Sequence, residues 1–276
     1  MKLRAPAKVN LHLRICGKRA DGFHELETLM APISLADDVT VETAIGRTVR
    51  VECDNPDVPM GEKNLAAVAA HKFSAHTGCQ FAARIAIVKR IPMGAGLGGG
   101  SSDAATVLTA LDAIFETRLG VDGLERIAAE LGSDVPFFIR RQAAWCRGRG
   151  EQIETRGLPE KLPLLLLKPV FGVETPWAYK NWASSRDLPG FGDDGQDLGW
   201  VKIFNSLERP AFEKFLVLAA MKQWLRAQPG VRAAAMSGSG STMFAVLENA
   251  AVAEDLMPRA KAEFGESLWL AACETD

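Results

Sequence analysis

The chain has 276 residues, of which 47% are hydrophobic and 24% are charged, a composition typical of a globular protein with one large domain or two small ones. Its formal net charge of −2 gives no reason to expect a nucleic acid or an anionic membrane as partner, and no apolar run reaches the ~18 residues of a membrane-spanning helix. Five scattered cysteines without CxxC spacing, and no recognisable signal or transit peptide before Lys8, predict a cytoplasmic protein without structural zinc.

The predicted elements mix strands and helices from the amino terminus onward. Residues 9–15 alternate apolar and polar side chains, which is the period of a half-buried strand. The segment 187–199 is rich in Pro, Gly and Asp and is predicted to be an exposed loop. Further strands are predicted at 26–34, 38–44, 48–53, 81–91, 143–147, 162–168, 231–236, 242–247 and 267–272, and helices at 64–74, 103–116, 122–131, 211–227 and 250–263.

Residues 92–105 are the most informative segment and read Pro-Met-Gly-Ala-Gly-Leu-Gly-Gly-Gly-Ser-Ser-Asp-Ala-Ala. Five glycines at positions 94–100 remove the Cβ atoms that would keep a ligand away from the backbone. They also permit positive φ angles, so that successive N–H groups can turn toward one anion. Because the run follows a predicted strand and opens a predicted helix, free amides and the positive end of the helix dipole meet there. The segment therefore predicts a loop that binds a polyphosphate.

The residues of this loop leave other interpretations open. A G-x-G-x-x-G pattern starting at Gly94 satisfies the dinucleotide fingerprint, although about 90 residues precede it here. The run also resembles a Walker A loop in which Gly100 replaces the lysine, so a transferase built on it must take its positive charge from elsewhere in the chain. In the plainest interpretation it is a glycine-rich turn, and Ser101, Ser102 and Asp103 only cap the following helix.

A second glycine- and serine-rich motif lies at 236–242, between two predicted strands. Gly238 and Gly240 permit close approach of the backbone, and the serine hydroxyls can donate to an oxyanion or cap a neighbouring element. Alone, such a motif is either a β-turn or a ligand site. Two such loops in one chain favour a shared active site.

Several separated blocks of the sequence resemble the GHMP small-molecule kinases. Residues 92–105 resemble the ATP loop of this superfamily, 131–137 (Leu-Gly-Ser-Asp-Val-Pro-Phe) its catalytic aspartate motif, and 237–244 its third motif. Ala-Pro-Ala-Lys-Val-Asn-Leu at 5–11 and Arg-Ala-Asp-Gly-Phe-His at 19–24 resemble the amino-terminal block of one branch of it. Ser206 departs from the family pattern, which has aspartate there, and this puts one contact of the smaller domain in question.

The resemblance implies an α+β fold with two domains, an ATP-binding domain at 1–158 and a smaller, substrate-side domain at 159–276, with the active site in the interdomain cleft. It implies a small-molecule kinase, a phosphotransferase with an alcohol as acceptor, that uses ATP with Mg²⁺. The branch that the amino-terminal block resembles phosphorylates the 2-hydroxyl of 4-diphosphocytidyl-2-C-methyl-D-erythritol. The products are the 2-phosphate and ADP, in the non-mevalonate pathway of isoprene biosynthesis. A monomer or a weak homodimer is expected.

By position, the resemblance assigns catalysis to Lys8 and Asp134 and assigns no metal ligand. Its ATP-binding positions are Asn64, Lys89, Pro92, Met93, Gly94, Ala95, Gly96, Leu97, Gly98, Gly99, Gly100, Ser101 and Ser102. Its substrate-binding positions are Asn10 near the reacting hydroxyl, Phe23, His24 and Tyr179 around the cytosine ring, and Thr175, Gly238, Ser239 and Gly240.

The chemistry of phosphoryl transfer suits the two catalytic assignments, because a loose transition state depends mostly on positioning and on neutralising charge. Asp134 is expected to orient the hydroxyl and accept its proton late, either as a general base or as an orienting acceptor. Lys8 is expected to stabilise the developing oxyanion and to supply the cation that the glycine loop lacks. In the plainer interpretation Asp134 is a turn or helix cap and Lys8 is a solvated charge on a strand edge.

Two rival functions differ in what they require. Another GHMP kinase, acting on mevalonate, homoserine or a sugar, would need no cytidine-binding surface, and the amino-terminal block argues against it. A nucleotide-binding sensor without turnover would keep the glycine loop, and the presence of both Lys8 and Asp134 argues against it.

Overall fold

The computed structural model describes residues 1–189 and 195–276. The chain packs as two compact units of mixed helix and strand, each assembled from three stretches of sequence. The first unit consists of Met1–Ala7, Leu35–Met93 and Gly98–Gln142, and the second of Lys8–Ser34, Gly94–Leu97 and Ala143–Asp276. The predicted division into 1–158 and 159–276 cuts the chain only once, and it stays a prediction.

Two long strands, β1 (Lys2–Lys18) and β2 (His24–Ala44), contribute residues to both units. In the first unit, β4 (Ala82–Val88) is antiparallel to the end of β2 and parallel to β3 (Val49–Cys53). The helices of this unit are a 3-10 turn at Gly61–Lys63, α1 (Leu65–Thr77), α2 (Gly99–Phe115), α3 (Gly120–Ala129) and α4 (Val135–Arg140).

Small side chains shape the core of the first unit. Helix α1 packs against α2, and the buried face of α1 consists of Phe73 and four alanines. Because alanine adds little beyond the backbone, the two helices can approach closely. The ring of Phe73 also contacts those of Phe81 and Phe115, which closes the core beside the end of α2. This packing fixes the carboxyl end of α2, the helix that begins where the glycine-rich run ends.

The second unit contains a four-stranded antiparallel sheet in the order β10-β11-β7-β12. Its strands are β7 (Pro163–Lys168), β10 (Val231–Met236), β11 (Met243–Leu247) and β12 (Trp269–Glu274). Leu164–Leu167 of β7 are all buried, as expected of a central strand covered on both faces. The helices of this unit are α5 (Thr175–Trp182), α6 (Glu208–Lys214), α7 (Leu216–Arg226) and α8 (Ala251–Phe264).

Further strands of the second unit pair with the segments of β1 and β2 that belong to it. β5 (Ala144–Gly148) is antiparallel to β2 and to β6 (Gln152–Thr155). β9 (Lys202–Asn205) is parallel to β1, with His12 opposite Phe204, and antiparallel to the two-residue strand β8 (Gln196–Asp197). These pairings bring β9 alongside the strand that carries Lys8 and Asn10.

The structure confirms most predicted elements and corrects several. The strands predicted at 26–34 and 38–44 are one continuous strand, β2. The helix predicted at 211–227 is wrong as a single element, because Phe215 leaves the helical region at φ −123° and separates α6 from α7. The loop predicted at 187–199 contains strand β8, and residues 190–194 of it lie outside the described part. Helices α4 and α5 and strands β6 and β9 were not among the predicted elements.

All five cysteines of the chain are free thiols in the structure. Within residues 1–189 and 195–276, no helix has the length and the apolar character that crossing a bilayer requires.

Candidate active site

The glycine-rich loop has the backbone that its sequence predicts. Gly96 and Gly98 adopt φ angles of +73° and +72°, a region that residues with a Cβ rarely enter. Helix α2 begins directly after Gly98, which has no side chain with which to cap it. Ser101–Asp103 lie inside the helix, so the interpretation in which these residues cap it is wrong. The first amides of α2 therefore lack a cap from the preceding residue, as an anion site at a helix start requires.

The two glycine-rich loops meet within the second unit. A Cβ added to Gly96 would lie 2.1 Å from the carbonyl oxygen of Ser237, so only glycine allows this approach. The Thr242 amide donates to the Ala95 carbonyl oxygen at 3.2 Å, and the Ser237 hydroxyl donates to the Gly96 carbonyl oxygen at 3.0 Å. The prediction that both loops share one place in the molecule is consistent with these contacts.

Lys8 is buried, with 3% of its surface exposed, so the interpretation of a solvated edge charge is wrong. Its Nζ donates to the Asn10 Oδ1 at 2.5 Å and to the Gly96 carbonyl oxygen at 2.9 Å. Asn10 is held in turn by a hydrogen bond from its Nδ2 to the Thr28 Oγ1 at 2.9 Å. A buried ammonium thus lies against the backbone of the glycine loop, which has no lysine of its own.

Asp134 belongs to the first unit and immediately precedes helix α4. Its backbone is helical (φ −86°, ψ −13°), and its side chain makes no capping hydrogen bond to that helix. The Gly132 carbonyl oxygen accepts the amide of Val135 instead. The interpretation of Asp134 as a helix cap is therefore wrong, and its catalytic role stays a prediction.

Lys89, predicted to lie near the nucleotide, is bound in the first unit between two carboxylates. Its Nζ donates to Asp37 in a short hydrogen bond and to Asp103 at 2.8 Å, and its side chain is 3% exposed. Although burial lowers the pKa of Lys89, the charges of Asp103 and Asp37 outweigh it and raise that pKa above its ordinary value. A Cβ added to Gly99 would lie 3.2 Å from the Nζ, so this ammonium lies directly beside the first residue of α2.

Asn64, also predicted to bind ATP, caps helix α1. Its Oδ1 accepts the amide of Ala66 at 2.9 Å, and its Nδ2 donates to the Pro59 carbonyl oxygen at 2.8 Å. These contacts explain why an asparagine at this position stabilises the helix start. A contact with the nucleotide stays a prediction.

The predicted cytosine-binding residues lie in the second unit. The ring centroids of His24 and Tyr179 are 5.5 Å apart, and the ring of Trp182, one turn further along α5, forms a T-shaped pair with that of His24 at a centroid distance of 6.0 Å. Burial, together with the charge of Lys18, lowers the pKa of His24, so its imidazole is neutral near pH 7 and can both donate and accept. Phe23 is 49% exposed and lies under the Arg149 guanidinium, 4.7 Å from its ring centroid.

The remaining substrate positions in the third motif are also linked to α5. The hydroxyl groups of Thr175 and Ser239 form a hydrogen bond of 2.8 Å, which connects the start of α5 to the motif. Gly238 and Gly240 both adopt positive φ angles, +55° and +90°. The structure therefore brings Thr175, Ser239 and the two glycines into one local cluster.

Ser206, which stands where the family pattern has aspartate, still makes an interstrand contact. Its hydroxyl accepts the amide of Ile15 at 3.0 Å, and its own amide donates to the Leu13 carbonyl oxygen at 2.8 Å. Both polar groups of Ser206 therefore bond to strand β1.

Several residues that support the site were absent from the prediction. Ser237, Asn205 and Glu208 hold the third motif, and Asp37 holds Lys89. Ser237 lies beside predicted positions and Asn205 lies in the block singled out for Ser206, so a motif-based signal for these two existed. Asp37 lies between the strands predicted at 26–34 and 38–44, beside Asp38, and nothing in the neighbouring sequence indicates that its partner is Lys89.

The fold and the glycine loops place the chain among kinases of known architecture. Residues 64–142 match the model of the GHMP kinases N terminal domain, and residues 185–266 match that of the GHMP kinases C terminal domain. The structure also superposes on a homoserine kinase from Cytophaga hutchinsonii with a TM-score of 0.67 and 18% identity, over 100% of this chain and 94% of that one. At that identity the likeness shows the fold alone, which is the predicted two-domain α+β fold.

More similar relatives define the family. The chain is 43% identical over 274 residues to a 4-diphosphocytidyl-2-C-methyl-D-erythritol kinase of Methylacidiphilum infernorum (isolate V4), covering 96% of this chain and 93% of the relative. It is 40% identical to that of Syntrophotalea carbinolica, covering 92% and 94%. A crystal structure of a 4-(cytidine 5'-diphospho)-2C-methyl-D-erythritol kinase matches with a TM-score of 0.80 and 37% identity over the whole of both chains. The chain belongs to the 4-diphosphocytidyl-2-C-methyl-D-erythritol kinase family, and it is therefore a kinase with ATP as co-substrate.

Proposed function

We propose that this protein transfers the γ-phosphoryl group of ATP to the 2-hydroxyl of 4-diphosphocytidyl-2-C-methyl-D-erythritol, giving the 2-phosphate and ADP. The observation that carries the proposal is the buried Lys8 ammonium on the Gly96 carbonyl, in a chain whose relatives at 43% and 40% identity are named for this substrate. Lys8 supplies a fixed cation beside a glycine loop that has none of its own. The reaction is the phosphotransfer step of isoprene biosynthesis by the non-mevalonate pathway.

In this proposal the amides of 94–102 bind the phosphates, and Lys8 stabilises charge on the attacking oxygen and on the transferring group. Asp134 orients the 2-hydroxyl and accepts its proton, and Asn10 lies beside that hydroxyl. The helix dipole of α2 adds to the attraction, because its positive end points at the loop. Charge neutralisation and positioning together lower the barrier for a loose transition state.

Recognition of the cytosine base is assigned to the aromatic cluster of His24 and Tyr179. Stacking on the tyrosine holds the face of the ring, and the neutral imidazole can hydrogen-bond to its edge. Phe23 contributes a further exposed ring, which the Arg149 guanidinium supports. Such a surface would have no counterpart in the recognition of mevalonate or homoserine.

Mg²⁺ is proposed as the metal of the reaction, where it would neutralise charge on the phosphates. The described residues contain no group of three His, Cys, Asp or Glu side chains that could hold a metal ion. Mg²⁺ commonly binds through substrate phosphates, water and only one or two carboxylates. A metal that arrives with the nucleotide therefore needs no group of three protein ligands. We further propose a monomer or weak homodimer, and a cytoplasmic location because the cysteines are free.

The test is an ADP-release assay with ATP, Mg²⁺ and 4-diphosphocytidyl-2-C-methyl-D-erythritol, run beside mevalonate and homoserine. We expect turnover with the cytidylated alcohol only. Asp134→Ala should lower kcat on the order of 10²- to 10⁴-fold, because the proton acceptor is lost. Asp57→Ala, which removes an exposed carboxylate of the first unit, is the matched control and should keep the wild-type rate.

Turnover with mevalonate or homoserine instead would assign the protein to another GHMP kinase activity. Tight ATP binding without turnover on any of the three alcohols would support the nucleotide sensor.

A further inference from the structure

The hydroxyl of Ser237 joins three separate pieces of the second unit. Ser237 is fully buried, and its Oγ donates to the Gly96 carbonyl oxygen at 3.0 Å. The same Oγ accepts the backbone amide of Asn10 at 3.4 Å. One side chain of the third motif therefore touches both strand β1 and the glycine loop.

The two residues joined by this hydroxyl are the same two that hold the Lys8 ammonium. The Nζ of Lys8 donates to the Asn10 Oδ1 at 2.5 Å and to the Gly96 carbonyl oxygen at 2.9 Å. A shift of either acceptor moves the ammonium, because a buried lysine follows its hydrogen-bond partners. Ser237 bonds directly to one of these acceptors, the Gly96 carbonyl oxygen, and to the backbone amide of the residue that carries the other.

Ser237 is itself held firmly from the other side. The Nδ2 of Asn205 donates to the carbonyl oxygens of the two residues that flank Ser237, at 2.6 Å to Met236 and 2.8 Å to Gly238. The amide of Met236 donates to Glu208 Oε1 at 2.8 Å, and the other carboxylate oxygen of Glu208 pairs with Lys222 at 2.5 Å. This support fixes the backbone on both sides of the serine, so its hydroxyl has a defined position.

We propose that Ser237 is a positioning residue for phosphoryl transfer, which sets the place of the Lys8 ammonium through the Gly96 carbonyl and the Asn10 backbone. The inference rests on the proposed function, since it concerns the cation of that reaction. It adds a residue that lies outside the predicted site and whose hydroxyl acts only through other groups. We expect the binding of either substrate to be unchanged when this hydroxyl is removed.

The test compares Ser237→Ala with Ser241→Ala in the ADP-release assay. Ser241 is the matched control, because it lies in the same loop, is equally buried, and donates its hydroxyl to a backbone carbonyl, that of Phe171, at 2.5 Å. We expect Ser237→Ala to lower kcat on the order of 10- to 100-fold with both KM values changed by less than about twofold. Ser241→Ala should keep kcat within about twofold of the wild type, even if its melting temperature falls as much as that of Ser237→Ala.

Two further variants keep the test decisive. Ser237→Cys keeps a weak donor in a slightly larger side chain, so it should recover part of the lost kcat if the alanine variant folds poorly. In a Lys8→Met background, Ser237→Ala should cause no further loss of the residual rate, because the group through which it acts is gone.

Equal kcat losses in Ser237→Ala and Ser241→Ala, or an undiminished loss in the Lys8→Met background, would overturn the positioning role while leaving the proposed function intact. A wild-type protein without turnover would instead defeat the proposed function, and the positioning role with it.

Discussion

Lys89 shows how burial changes the chemistry of single residues beside the phosphate loop. One ammonium faces two carboxylates, and Asp37 also accepts the amides of Arg90 at 2.6 Å and Ile91 at 2.8 Å. Asp103 has one oxygen on Lys89, whereas its Oδ1 is buried without a hydrogen-bond partner among the described residues. Burial raises the pKa of Asp103 to about 7, although the charge of Lys89 opposes this.

This environment predicts a pH-dependent stability that Asp103→Asn removes. Because the pKa of Asp103 is higher in the folded chain than in the unfolded one, the folded chain binds more protons between about pH 4 and 7, and stability falls as the pH rises. The contribution of Lys89, whose pKa is also raised, is present throughout this window and is lost only at alkaline pH. Between pH 5 and 7 the variant should gain up to about 2 kcal/mol in unfolding free energy relative to the wild type.

Urea unfolding at pH 5, 6 and 7 measures this difference. For Asp57→Asn, which removes an exposed carboxylate, the unfolding free energy plotted against pH should run parallel to that of the wild type. If the curve of Asp103→Asn is parallel as well, Asp103 is charged in the folded chain throughout this range.

At the scale of elements, glycine has two different roles in the glycine loop and in helix α2, although the sequence does not distinguish them. At Gly96 the glycine is required by the protein, since its position lies against the Ser237 carbonyl and its φ is positive. At Gly100, inside the first turn of α2, nothing lies within 4 Å of an added Cβ. The first glycine allows two loops to touch, and the second leaves open space at the start of the helix.

Alanine substitutions at these two positions should therefore differ in kind. Gly96→Ala should lower the unfolding free energy by about 2 kcal/mol or more, because the methyl group and the backbone angle are both incompatible. Gly100→Ala should leave it unchanged or raise it by up to about 1 kcal/mol, since alanine favours the helix. Gly100→Ala should instead raise the KM for ATP, because the methyl group keeps phosphate away from the amides.

Urea unfolding and the KM for ATP, measured on the same preparations, separate the two effects. An unchanged KM in Gly100→Ala would show that the phosphates do not approach this residue. A Gly96→Ala variant as stable as the wild type would contradict the close contact between the loops.

At the scale of the whole molecule, nucleotide binding and chemistry should be separable. Binding to the folded chain alone stabilises it by about 2.7 kcal/mol at a ligand concentration 100 times Kd, or roughly 5–10 °C in Tm for a chain of this size. Asp134→Asn should keep this shift with ATP and Mg²⁺ while losing turnover, because Asp134 acts on the acceptor hydroxyl. Gly96→Ala should lose the shift.

Thermal unfolding with and without ATP and Mg²⁺ provides the measurement, and Asp57→Asn provides the control with both binding and turnover. A lost shift in Asp134→Asn would place that carboxylate in nucleotide binding and would contradict its proposed role.

The sequence by itself determined the mixed α+β character, the positive φ angles of the glycine loop, the helix that follows it, and the family. These properties depend on short stretches of chain: a period of two or 3.6 residues, the missing Cβ of glycine, and motifs of six to fourteen residues. The break at Phe215 escaped prediction because its neighbours on both sides have helical patterns, and only the structure shows the φ of −123° that separates α6 from α7.

Only the tertiary structure decided which groups are buried together. Lys8 and Lys89 are similar residues in strand-like segments, yet one lies on the Gly96 carbonyl and the other between two aspartates. Ser237 meets Gly96 across 141 positions of sequence, and Asp37 meets Lys89 across 52. Such pairings depend on where the strands and loops come together in space, and the cost of burying a charge or a polar group then selects its partner.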